Sequence, residues 1–200
     1  LPGTQGDPIA VPTVQGDKLP EFTASDVLST KLWQPRADRP PLGIDLACTK
    51  VAVDFQNISA GNADAVIRQS LEILREAINT DAVFLVLLDG HGERIDSIAT
   101  AKGPFAQCRP EVLKGEPLES LPWIRSRLEH VRLLEIRDTV QVKPEQATDA
   151  ERLAGLDIRS MLLIAFAVQG TVRGFLAFAS SSPRDGWDVN LHLLLKLVGT

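Results

Sequence analysis

The segment Ile158–Ala179, IRSMLLIAFAVQGTVRGFLAFA, restricts the fold more than any other part of the chain. Its apolar runs, Met161–Val168 and Val172–Ala179, are separated only by Gln169-Gly170-Thr171, a Gly-containing connection suited to a tight antiparallel hairpin. Successive side chains of a strand point to opposite faces. Met161 to Ala167 is apolar on both, so each face needs a cover. The expectation is a sheet with this hairpin at its middle and helices on both sides.

Composition supports one such unit. Two hundred residues at 44% hydrophobic content suffice for a single core. Lys plus Arg number 21 against 26 Asp plus Glu, a net charge of -5 with no basic cluster, which argues against nucleic-acid or anionic-membrane binding. No apolar run approaches the roughly 20 residues that cross a bilayer, and no basic-then-apolar leader opens the chain. Cys48 and Cys108 have neither disulfide-framework nor zinc spacing and read as free thiols of a cytoplasmic protein. With Leu1 first, Met161 the only methionine and Thr200 inside a helical stripe, the sequence reads as a piece of a longer protein.

Two regions follow from the pattern. Residues 1–43 are an arm broken by Pro2, Pro8, Pro12, Pro20, Pro35, Pro40 and Pro41, with one short helix capped by Thr23 and Asp26 and running to Trp33. Residues 44–200 carry the domain. Ile44, Cys48, Val51, Phe55 and Ile58 recur at alternating steps of four and three, the seam of a coiled coil or the inner stripe of an ordinary amphipathic helix. Asn62 is placed to cap a second helix with Ile67, Leu71, Leu74 and Ile78 on one face. Ala82–Leu88 then reads as a buried strand, Asp89-Gly90-His91-Gly92-Glu93 as a turn, and Arg94–Thr100 as the returning strand.

Lys102–Val142 lacks a single period and contains Pro104, Pro110, Pro117 and Pro122; a helix is expected over Pro122–Glu129 and a third strand over Val131–Ile136. Lys143–Leu156 reads as a helix ended by Gly155. Beyond the hairpin, Trp187, Leu191, Leu194, Leu195 and Val198 form a last helical stripe. With Ile44, Cys48, Val51, Phe55 and Ile58, the residues Leu191, Leu194, Leu195 and Val198 are the candidate dimer interface.

The chemistry-bearing residues are sparse. His91, His130 and His192 are scattered with no Ser/His/Asp grouping, and there is no H-E-x-x-H or phosphate-cradling Gly loop. The Asp89–Glu93 string is a hairpin rather than a metal loop. Long irregular cover over a rigid sheet is where ligand pockets sit. Its aromatic, sulfur and cationic residues make Phe105, Cys108, Trp123, Arg125, His130, Arg159 and Met161 the candidate pocket, suited to a small anionic or aromatic ligand. The plainer alternative has Phe105 and Trp123 closing a core edge and Arg159 pairing with a carboxylate such as Asp157 or Glu151.

The strings LEILREAINTDAVFLVLLDG, LPWIRSRLEH, VRLLEIRD and ERLAGLDIRSMLLIAFAVQGTVRGFLAF, with the closing W-x-x-x-L-x-x-L-L-K-L-V-G, make residues 44–200 resemble a GAF domain. They look like the modules that precede cyclic-di-GMP-synthesising or degrading domains in bacterial signalling proteins. The resemblance implies an α+β, PAS-like sandwich: a central antiparallel sheet of five or six strands, helices on both faces, the terminal helices together on one and a ligand pocket on the other. The Asn-Lys, Phe, Asp-Glu signature of cyclic-nucleotide GAF domains is missing. Cys108 is followed by Arg109 and Pro110, not by the His that accompanies a bilin-attaching Cys.

The expected function is a non-catalytic sensory or regulatory module that binds a small molecule or dimerises through its terminal helices to control a C-terminal output domain. No cofactor is specified. The alternatives are a purely structural dimerisation domain and a thiol reductase of the free methionine sulfoxide type using Cys108.

Overall fold

The computed structural model describes residues 43–130 and 133–187. The Pro-rich arm, the first two residues of the expected third strand, and the expected stripe from Leu191 to Val198 lie outside them.

Helix α1, Ile44–Gln56, turns Ala47, Cys48 and Val51 inward and packs on α2, Ala63–Ile78. The stripe expected to end at Ile58 stops earlier: the Asn57 side chain donates to the Val53 carbonyl at 2.9 Å, and Ile58 lies past the helix end. Asn62 precedes α2 without capping it by its side chain. Its Oδ1 instead accepts the Ser59 N–H at 2.6 Å, so it holds the turn between the helices. Asn79 closes α2 at φ 52°, the left-handed conformation that asparagine tolerates better than most residues.

Five strands form one antiparallel sheet: β1, Ala82–Leu88; β2, Ile95–Lys102; β3, Leu133–Ile136; β4, Ser160–Val168; and β5, Thr171–Ser180. Their order is β2-β1-β5-β4-β3, so the expected central hairpin is β4–β5, with β5 in the middle position. Gln169 and Gly170 have φ of 52° and 81°, the two positive values that a two-residue turn of primed type requires. The arrangement is a GAF-like α+β fold with four α-helices among the described residues. None of those helices is long and apolar enough to cross a membrane.

Pleating divides the apolar side chains into two layers. Phe84 and Val86 of β1, Phe175 and Ala177 of β5, and Met161 and Leu163 of β4 point to the side covered by the irregular segment. There they meet Cys108, Leu121, Ile124 of α3 (Pro122–Leu128) and Leu153 of α4 (Ala147–Ala154) in one apolar core. Each fully buried large side chain contributes roughly 1.5–3 kcal/mol. The expected Lys143–Leu156 helix divides into a 3-10 turn, Pro144–Gln146, and α4.

On the other side, Val83, Leu85 and Leu87 of β1 and Leu176 and Phe178 of β5 share a face with Phe166 of β4, and α2 lies across β1 and β2. Gly174 is obligatory on this face: a Cβ there would sit 2.1 Å from the Val86 carbonyl oxygen and 2.5 Å from Cζ of Phe166, whose ring covers the position. Polar contacts lock the start of β1 to the end of β5. The Asp81 carboxylate accepts from Ser180 Oγ and Ser181 N–H at 2.8 Å each, and Thr80 Oγ1 donates to the Ala179 carbonyl at 2.7 Å.

Candidate functional site

The seven candidate pocket residues do not converge on one cavity. Phe105 is 92% exposed on the loop after β2. Cys108 and Met161 are fully packed core residues, and the Cys108 thiol donates to the Asp157 carbonyl at 3.4 Å. Burial pushes this thiol up to about 11, as it does Cys48, with nearby Asp81 and Asp45 respectively adding to the effect. That is the reverse of the activation a thiol nucleophile needs.

The remaining four are committed to local partners. Trp123 packs at the edge of the core with Arg127 stacked 6.0 Å from its ring centroid. Arg125 forms a 2.6 Å ion pair with Glu119 on an open cleft of about 280 Å³ bordered by Pro122, Ser126 and Glu129. His130 Nδ1 lies 2.9 Å from the Ser126 carbonyl, one turn back. Arg159 makes two hydrogen bonds, 2.9 and 3.2 Å, to Asp138, a nearer carboxylate than the Asp157 or Glu151 expected from sequence. Arg159 holds the Asp138 carboxyl below the usual range.

This face instead is organised by a residue the sequence reading passed over. Asp149 of α4 is fully buried, and its carboxylate accepts the Trp123 and Ile124 N–H groups at 3.2 and 2.8 Å, capping α3 from another helix. Burial pushes its pKa up, while the two N–H bonds pull the other way. With the partners 26 and 25 residues apart, no local capping signature announces the contact.

Open space lies on the opposite face. A half-open cavity of about 310 Å³ is lined by Val51 and Phe55 of α1, by Ile58 after it, by Ile67, Ser70, Leu71 and Leu74 of α2, and by Leu85, Leu87, Phe166 and Leu176 of the sheet. Three members of the sequence-derived dimer stripe, Val51, Phe55 and Ile58, thus come together around it. Cys48 and Val51 are buried within their own domain, Ile44 is half-buried, and Phe55 and Ile58 stay partly exposed at the cavity. Alternation marks the sheet's apolar positions, but it does not reveal that the helices over them leave a void against the sheet.

An open five-stranded antiparallel sheet with this order, flanked by helices on both faces, defines the GAF-like class of fold. Solved structures with this architecture include the phycoerythrobilin-bound GAF domain of a cyanobacterial phytochrome, 16% identical, TM-score 0.62, covering 78% of this chain and 90% of that one. The phycocyanobilin-bound GAF domain from a cyanobacterial phytochrome aligns with TM-score 0.61 at 16% identity and the same coverage, 78% and 90%. The GAF domain of an Acinetobacter phosphoenolpyruvate-protein phosphotransferase aligns with TM-score 0.53 at 18% identity, over 76% of this chain and 86% of that one. No protein-family model and no curated protein matches the sequence.

Proposed function

We propose that this chain is a non-catalytic sensory or regulatory GAF module of a cytoplasmic bacterial protein, which takes a small molecule and pairs with a second copy through its terminal helices. The observation that carries the reading is the state of α1 within this fold. Its inner stripe is used up on its own domain, yet Leu46 at 55% exposure, Phe55 and Ile58 leave apolar surface at both ends. A change in how α1 seats on α2 and the sheet would alter what it offers a partner, and a coupling of about 1–3 kcal/mol changes output several-fold to a hundredfold. The output would be a C-terminal domain of the longer protein, for cyclic-di-GMP synthesis or hydrolysis or a histidine kinase.

The non-catalytic part of the proposal is supported by the buried, high-pKa Cys108, the thiol that a reductase would need. The same burial leaves no exposed thiol at Cys108 for attaching a bilin of the kind bound by two of the similar structures. A second reading, a structural dimerisation domain without ligand, is favoured by the apolar packing of Cys108 and Met161 under the irregular segment. Light scattering across a concentration series tests the shared claim. A concentration-dependent dimer weakened by Leu46→Glu and Phe55→Glu is expected, and a strict monomer at high concentration removes it.

A further inference from the structure

We propose that Asp185–Gly186 is a site of spontaneous backbone modification, where the aspartate rearranges through a cyclic imide to a β-linked isoaspartate and re-aims the chain ahead of Trp187.

An Asp-Gly pair eases this rearrangement, because glycine has no Cβ to hinder its own nitrogen as it approaches the aspartate side chain. The sequence contains two such pairs, Asp89–Gly90 and Asp185–Gly186, and the fold treats them in opposite ways. At the first, the groups the reaction needs are already engaged. The Glu93 and His91 N–H groups donate to Asp89 Oδ1 at 2.9 and 3.2 Å, which fixes the carboxyl and holds its pKa below the usual range. The Asp89 carbonyl accepts the Gly92 N–H at 3.0 Å and the Gly90 carbonyl accepts from Arg173 at 2.6 Å, so the backbone is clamped on both sides of the Gly90 nitrogen.

The second pair is unclamped. Asp185 and Gly186 are both exposed, and neither the Asp185 carboxylate nor the peptide unit between the two makes a hydrogen bond among the described residues. There is also room for a ring: even a Cβ added at Gly186 would come no nearer than 3.8 Å to Glu135 Oε1. Once the Asp185 carboxyl has taken a proton, the Gly186 nitrogen attacks Cγ. A C–N bond forms, and the nitrogen's hydrogen and the carboxyl hydroxyl depart as water. Water then reopens the imide. Cleavage at Cγ restores aspartate, whereas cleavage at the main-chain carbonyl carbon sends the chain through Cβ and Cγ, one methylene longer, with a free α-carboxylate. The sequence needs no cofactor, oxidant or reductant.

The position decides what the extra methylene moves. Arg184 is anchored behind it, its N–H donating to the Arg137 carbonyl at 3.0 Å and its guanidinium to the carbonyl of Asn79, which closes α2. Ahead of it, the Trp187 ring lies 4.5 Å from that guanidinium. Lengthening the backbone between the two loosens this stack. On the sensory reading the change falls on the path toward the output domain; the chemistry itself does not depend on that reading.

The test ages the intact folded chain at pH 6 and 37 °C in water enriched in oxygen-18, then reads each Asp-Gly peptide by electron-transfer fragmentation, which separates α- from β-linked aspartate. Heavy oxygen and β-linkage are expected to accumulate at Asp185 at least about tenfold faster than at Asp89, where two hydrogen bonds of ordinary net strength must break first. Asp185→Glu keeps the charge but removes the five-membered ring and should stay unlabelled there. Gly186→Ala should slow labelling without lowering the melting temperature. Equal rates at the two pairs in the folded chain overturn the proposal, as does label at Asp185 no greater than in the Asp185→Glu variant. Light scattering on unaged protein reads the dimer separately, so the modification and the sensory reading stand or fall apart.

Discussion

The two faces of the sheet solve the same problem of covering apolar strands in opposite ways. Under the irregular segment, short helices and 3-10 turns fit around Phe84, Phe175 and Met161 in one apolar core, with Asp149 capping α3 from within. Across the sheet, α1 and α2 are longer and more regular, yet they leave a cavity. Regular helices meet a sheet along ridges, whereas irregular chain can follow whatever outline the side chains present. The difference teaches that loop-rich cover need not mean a pocket, and that orderly cover need not exclude one.

Substitutions on the two faces should expose this contrast, most strongly on the filled one. Phe84→Ala, at a fully buried core position, should cost about 3–5 kcal/mol in chemical denaturation. Phe166→Ala, beside existing space, should cost clearly less; equal losses would mean that the two faces are packed alike. Gly174→Ala forces Phe166 and the Val86 carbonyl apart and should cost about 3 kcal/mol, the upper part of the usual overpacking range. Asp149→Ala orphans two buried N–H groups of α3 at a cost of roughly 1–3 kcal/mol, visible as early hydrogen exchange at Trp123 and Ile124.

A pH scan gives a further comparison, between native and unfolded thiols. Cys48 and Cys108 are raised from 9.0 to about 11, so the folded state holds their protons more tightly. Their contribution to stability is complete below pH 9 and drains away as pH climbs toward 11. Alkylation at pH 8 should therefore track unfolding, and rapid native-state labelling of Cys108 would contradict its placement in the filled face. The smallest effect belongs to the Arg159–Asp138 pair, whose arginine is half-exposed. Because Asp138 is lowered, its contribution is present above the ordinary carboxylate range and is lost as pH falls through the folded value; Arg159→Gln should flatten only that acid limb.

The elements were legible because each is written locally. Doubly apolar Met161–Ala167 demanded cover on both sides, Gln169-Gly170 named its turn, and Ile67, Leu71 and Leu74 named the inner face of α2. The candidate site was less so, because sites depend on what meets across the fold. Phe105 has a pocket residue's chemistry but stands in solvent, and Arg159 is neutralised by a carboxylate 21 residues away. Ser70 looks like any polar residue of an amphipathic helix until its burial is known.

The position of β5 has a bearing on how the molecule comes into being. The strand that completes the sheet's middle is the last of the five to leave the ribosome, and Thr80 must wait 99 residues for the carbonyl it binds. Until then β1–β2 and β3–β4 are separate pieces with bare edges, open to mispairing. A nascent chain halted before residue 171 should therefore need a chaperone's protection, and release of the final hairpin should be the moment at which the two halves become one body.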